Sequence, residues 1–179
     1  MPTVVVPYRG DSKRRFPASL RAAVAVAMLG DVVAAALDVG RVVVVTDDAA
    51  VAPPGVEIVD DPGAGLGAAV LTGLAGVEGH ALVVNADVPG ATPDALRRLA
   101  DAGPALVEAE DGTTNALSLP DPALFLPLYG TGSAERFRAH GFAAVDIPEL
   151  AADVDTADDL ERFAALLGPR TRSLLAVTA

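Results

Sequence analysis

Ala81-Leu82-Val83-Val84-Asn85-Ala86-Asp87-Val88-Pro89 runs apolar for four residues and then opens onto a polar loop. It reads as a buried strand that delivers one carboxylate, Asp87, to its carboxyl end. Open α/β sheets bind ligands there, and a hard cation such as Mg²⁺ takes one or two carboxylates plus substrate phosphates. Asp87 is therefore a candidate metal ligand. The competing role is local: an aspartate at this point also suits a turn or the start of the helix near Pro93.

Working outward, the chain alternates strands and helices. Thr3 to Val6 is a short apolar strand, and an Ala-rich helix is predicted from about Ala18 to Leu37. Arg41 to Thr46 is β-branched and almost continuously apolar, the pattern of a strand covered on both faces. A short strand at Glu57 to Val59 precedes a helix from Leu66 to Leu74. After the strand at Ala81 comes a helix from Pro93 to about Ala102, with Thr92 as N-cap. Ala105 to Ala109 and Asn115 to Leu119 are expected to pair antiparallel across Asp111-Gly112. A helix from Ser133 to His140, a strand around Ala144 to Ile147 and a helix from Thr156 to Leu167 follow. This order predicts an α/β protein, a three-layer α/β/α sandwich with a mixed, mostly parallel sheet. We expect one domain over residues 1–179. The tail at 168–179 is apolar around Ser173-Leu174-Leu175, and suits docking on the domain or on a second subunit of a homodimer.

Composition narrows the function. With 51% hydrophobic residues but only 4% aromatic, the core must be built from small aliphatic side chains. The absence of cysteine excludes disulfides and thiolate metal sites, and two histidines make an all-histidine zinc site improbable. A net charge of −11 argues against nucleic acid as a partner. The N-terminus shows no secretory pattern and no apolar run approaches membrane-spanning length, so no membrane partner and a cytoplasmic location are expected.

Four further segments carry chemistry. Arg9, Lys13, Arg14 and Arg15 crowd the loop after the first strand, where with Gly10 they suit a triphosphate; a solvated basic turn is the alternative. Asp61-Pro62-Gly63-Ala64-Gly65-Leu66-Gly67 is a glycine-rich helix entry that could cradle phosphate or read a base edge but lacks the lysine of a P-loop, and taken alone it reads first as a tight helix-entry turn. Asp153-Val154-Asp155-Thr156 alternates its carboxylates on an extended segment, so Asp153 and Asp155 face one way, while Asp158 and Asp159 suit the helix start. Thr113-Thr114-Asn115 and Tyr129-Gly130-Thr131-Gly132-Ser133 offer hydroxyls and amides for an acidic acceptor, with Ser133 also expected as an N-cap.

Taken together, these segments resemble the 2-phospho-L-lactate (phosphoenolpyruvate) guanylyltransferase family, within the MobA-like nucleotidyltransferases of nucleotide-diphosphosugar transferase fold. The resemblance spans most of the chain and is strongest at Gly112 to Leu117, Tyr129 to Ser133 and Asp153 to Thr156. It implies transfer of GMP from GTP to 2-phospho-L-lactate or phosphoenolpyruvate, with release of pyrophosphate, in coenzyme F420 biosynthesis. By that resemblance Asp87, Asp153 and Asp155 would hold Mg²⁺, and Lys13 and Arg15 would join Asp87 and Asp155 in catalysis. Pro7, Arg9, Gly10, Asp61, Pro62, Gly63, Gly65 and Leu66 would bind GTP, with guanine against the loop from Asp61 to Gly67. Thr113, Thr114, Asn115, Gly130 and Ser133 would grip the phospho-acid.

The chain departs from the family pattern in three places. Arg9 replaces a usual lysine, the stretch from Gly10 to Phe16 is short, and Gly67 stands where asparagine is common. Two other readings therefore compete: a MobA-like nucleotidyltransferase with a different phosphorylated acceptor, and a nucleotide-binding regulator with weakened catalysis.

Overall fold

The computed structural model describes residues 1–10 and 15–175. Seven strands form one sheet: β1 (Thr3–Pro7), β2 (Arg41–Thr46), β3 (Glu57–Asp60), β4 (Ala81–Val84), β5 (Ala105–Glu108), β6 (Thr114–Leu119) and β7 (Ala143–Ala144). Their spatial order is β3-β2-β1-β4-β6-β5-β7. All pairings are parallel except those of β6, which runs against both β4 and β5. The expected mixed, mostly parallel sheet is therefore present, with one reversed strand.

The layers follow from alternation along each strand. Val4, Val6, Val42, Val44, Leu82 and Val84 point into one core, against α1 (Arg21–Leu37) and α3 (Pro93–Asp101). Val5, Val43, Val45, Ala81 and Val83 point to the other, against α2 (Leu66–Leu74) and α4 (Ser133–Ala139). Burial on both faces is what the unbroken β-branched runs require. Small residues set the spacing: a Cβ on Gly73 of α2 would sit 2.5 Å from Val5 Cγ1 and 2.7 Å from Val45 Cγ2.

The chain turns sharply at both ends of α3, where Thr92 Oγ1 accepts from Ala95 N at 3.1 Å and Pro93 occupies the first turn. Three expectations need correction. The strand near Ala144 stops there, because Ile147 and Pro148 open α5 (Pro148–Ala151). The helix after Thr156 is only α6 (Ala157–Arg162), followed by turns; Phe163 and Leu167 still reach the small core around Phe16 and Met28. Ser133 is not the N-cap of α4; Gly132, left-handed at φ 71°, takes that position.

The C-terminal segment docks on its own domain. α7 (Pro169–Ser173) lies on α1, where buried Asp31 accepts from Arg170 N at 3.1 Å and Thr171 N at 2.8 Å. Gly168 is required at the contact, since a Cβ there would meet Asp31 Cγ at 2.4 Å. No described helix is long and apolar enough to cross a membrane.

Candidate active site

The carboxyl ends of β1, β3 and β4 border a cleft of about 250 Å³ whose walls include Tyr8, Arg9, Asp61, Leu66, Asn85 and Asp87. It opens beside the point where β1 and β4 part company in sequence order, the crevice such sheets use for ligands. Pro7 lines it from β1, and Ala25 and Met28 close it from α1.

Asp87 and the Asp153–Asp155 segment meet at one side of this cleft. Val154 N donates to Asp87 O at 2.9 Å, and Val154 buries its side chain, so Asp153 and Asp155 flank it on the opposite side. Burial pushes the Asp153 carboxyl above the usual range, the charges of Asp87 and Asp155 push it further, and a hydrogen bond from Asn115 opposes them. Asp153 thus senses both neighbouring carboxylates. The three do not form a cage: among the described residues, no three His, Cys, Asp or Glu groups are placed to hold a metal alone. Arg15 Nη1 lies 3.9 Å from Asp155 Oδ2. Lys13 lies outside the described residues.

Arg9 faces the glycine-rich loop that opens α2. Its Nε donates to Asp61 Oδ2 at 2.7 Å and its Nη2 to Oδ1 at 3.4 Å, a two-pronged pair. Gly63 N adds a bond to Asp61 Oδ1 at 2.9 Å. The hydrogen bond from Arg9, reinforced by Gly63 and opposed by burial, holds the Asp61 carboxyl below its ordinary value. Positive φ at Gly63 (74°) and Gly65 (98°) bends Asp61-Pro62-Gly63-Ala64-Gly65 into the start of α2, whose first turn has no side-chain cap. Gly10 lies near Tyr8, its missing Cβ 3.7 Å from the phenol oxygen.

The residues expected to grip an acceptor are gathered too, several of them bonded to one another or to neighbouring carboxylates. Thr114 and Ser133 are buried and bonded to each other, Ser133 Oγ donating to Thr114 Oγ1 at 3.0 Å. Thr113 turns to Asp111, its Oγ1 donating to Oδ1 at 2.6 Å. Asn115 Nδ2 donates to Asp153 Oδ1 at 3.2 Å and to Ala151 O at 3.1 Å, so it orients a carboxylate instead of facing the cleft. Gly130 stands next to them at φ 110°.

Sequence reasoning missed Asn85. Its Nδ2 donates to Thr114 O at 3.1 Å, tying the Asp87 loop to β6, while its buried Oδ1 has no hydrogen-bond donor among the described residues. The signal was available: Asn85 stands two residues before Asp87 at a strand end. Gly67 also gains an explanation, because Pro127 fills the space a side chain would need, 2.7 Å from the position of a Cβ.

A parallel sheet with one reversed strand, a cleft at its switch point and facing carboxylates beside a glycine-rich helix entry define a nucleotidyltransferase. The family model of the MobA-like NTP transferase domain matches residues 19–140. The phosphoenolpyruvate guanylyltransferase of Salinispora arenicola is 38% identical, the alignment covering 99% of this chain and 94% of that protein. That of Streptomyces coelicolor is 34% identical, over 97% of this chain and 95% of the relative. The chain therefore belongs to the phosphoenolpyruvate guanylyltransferase family, among the MobA-like NTP transferases. In solved structures the fold recurs in a nucleotidyl transferase from Methanothermobacter (TM-score 0.69, 18% identity, 100% of this chain and 99% of that one). It also recurs in 2-C-methyl-D-erythritol 4-phosphate cytidylyltransferase from Thermus thermophilus (TM-score 0.61, 19% identity, 93% and 98%).

Proposed function

We propose that this chain is a cytoplasmic enzyme that transfers GMP from GTP to phosphoenolpyruvate, or to 2-phospho-L-lactate, and releases pyrophosphate for coenzyme F420 biosynthesis. The similarity to enzymes named for guanylyl transfer to phosphoenolpyruvate supports the substrates. The observation that carries the chemistry is the meeting of Asp87 with Asp153 and Asp155 through the Val154–Asp87 backbone bond of 2.9 Å.

A phosphate oxygen of the acid attacks the α-phosphorus of GTP. The bond from that phosphorus to the α,β-bridging oxygen breaks, and its electron pair leaves on pyrophosphate. The attacking oxygen is already ionised, so no general base is needed and positioning with charge neutralisation carries the rate. Asp87 and Asp155 would hold Mg²⁺, with Asp153 beside them. Burial, with the charges of Asp87 and Asp155 beside it, disfavours the charged form of Asp153; a divalent cation would offset that cost, and two carboxylates with phosphate oxygens make a suitable donor set. When bound, the ion neutralises the triphosphate charge.

In this reading Arg15, beside Asp155, balances the departing pyrophosphate together with Lys13. The Arg9–Asp61 pair shapes the wall against which guanine lies, with Pro62, Gly63, Gly65 and Leu66 supplying backbone. Thr113, Thr114, Gly130 and Ser133 frame the phospho-acid, and Asn115 keeps Asp153 in place.

Pyrophosphate release tests the assignment, using GTP, ATP and CTP, each with phosphoenolpyruvate, with 2-phospho-L-lactate, with a sugar phosphate and with no acceptor, and with GTP binding measured by calorimetry alongside. Release only with GTP and one or both acids is expected. Release with a sugar phosphate but neither acid would replace the acceptor, and GTP binding with no release under any condition would make the chain a regulator.

A further inference from the structure

Arg136, on the second turn of α4, gives four of its five guanidinium N–H donors to the loop ahead of that helix. Nε and Nη2 donate to Leu128 O at 3.1 and 2.8 Å, Nη2 also to Tyr129 O at 3.2 Å, and Nη1 to Thr131 O at 2.7 Å. Three carbonyls from a stretch without regular structure converge on one fork. In a trans peptide the N–H points opposite to its own carbonyl. The amides of Tyr129, Gly130 and Gly132 are therefore turned away from Arg136. No backbone hydrogen bond among the described residues uses the N–H of Tyr129, Gly130, Thr131 or Gly132.

The rest of the loop is fixed around the same arrangement. Tyr129 packs its ring edge-on to Phe137 at 5.6 Å, and Ser133 N closes the turn onto Gly130 O at 2.9 Å. On the far side Pro127 sits in the space left by Gly67. Positive φ at Gly130 and Gly132 permits the carbonyls to face inward together. Backbone amides aimed in common from such a turn bind anions.

We propose that Arg136 is a positioning residue for the acceptor: by gathering the carbonyls of Leu128, Tyr129 and Thr131 it presents the amides of Gly130 and Gly132 to a phosphorylated carboxylic acid. The inference rests on the proposed function, which places that acid beside Gly130 and Ser133. Arg136 acts through the loop rather than on the acid, since four of its five N–H donors are spent on carbonyls. A lysine keeps the charge but lacks the planar fork that reaches three carbonyls. Charge attraction and loop organisation are thereby separable.

The test is steady-state kinetics of wild type, Arg136→Lys and Arg136→Met, varying phosphoenolpyruvate and GTP in turn, with thermal melts alongside. The acceptor KM is expected to rise on the order of tenfold in both variants while the GTP KM stays within about twofold. An Arg136→Lys variant with wild-type acceptor KM, or a parallel rise of both KM values, would overturn the inference. Should Arg136→Met fail to fold, Arg136→Lys alone decides between these outcomes. Wild type inactive with both phospho-acids would instead refute the proposed function, and the inference with it.

Discussion

Asp61 shows how one side chain serves both fold and site. Its carboxylate is 3% exposed and held by Arg9 and Gly63 N, which favour the charged form. As pH falls, the unfolded chain takes up the proton first, near the ordinary value of 3.8, while the folded chain resists. The stabilisation is thus complete above that value and is lost as pH drops through the lowered one. Urea unfolding of wild type and Asp61→Asn should differ most at about pH 7 and converge towards about pH 3; a gap that is constant with pH would contradict the pairing. Gly67 makes a second residue-scale case. Gly67→Ala forces a methyl against Pro127 and should cost about 1–3 kcal/mol in stability, with part recovered in the Gly67→Ala, Pro127→Gly double variant. Equal losses in the single and double variants would remove the contact as the cause.

Among the elements, the α1–α7 contact depends on Asp31, whose side chain is 1% exposed and faces two backbone amides, with Arg170 Nη1 at 3.7 Å. Asp31→Ala leaves those amides without their acceptor and should lower the unfolding free energy by about 2–4 kcal/mol, read from denaturant melts; a change below about 0.5 kcal/mol would mean the tail contributes little. Gly168 N also donates to Pro89 O at 2.8 Å, so the same latch steadies the loop that carries Asp87. Asp31 was illegible in the sequence because its partners lie 139 and 140 positions away. Local patterns were readable: β2, α2 and β4 fall where the apolar runs place them, and Thr92 and Thr156 cap as their neighbours predict. The strand at Ala144 and the helix at Thr156 were drawn too long for a common reason. Val145, Ile147, Phe163 and Leu167 reach apolar clusters from irregular backbone, and apolar periodicity does not distinguish that from a regular element.

Over the whole molecule, a chain of net charge −11 assembles a site for anionic substrates from segments far apart in sequence. The candidate carboxylates and both glycine segments were legible, because strand ends and helix entries mark themselves by residue type. The partnerships among them were not: Asn115 meets Asp153 once β6 inserts antiparallel between β4 and β5, Arg9 meets Asp61 across the ends of β1 and β3, and Arg136 turns back onto its own loop. That insertion places Thr114 beside Asn85 and Ser133, and in the proposed function it sets an acceptor side against a nucleotide side across Asp87. The most direct test of this arrangement follows label from α-³²P GTP in the presence of Mg²⁺ and phosphoenolpyruvate, for wild type and Asp87→Asn. Wild type should move the α-label into a guanylylated phosphoenolpyruvate adduct and release unlabelled pyrophosphate, while folded Asp87→Asn loses at least about a thousandfold in rate. An Asp87→Asn variant that forms the adduct at the wild-type rate, or a wild type whose label never joins the acid, would contradict the account.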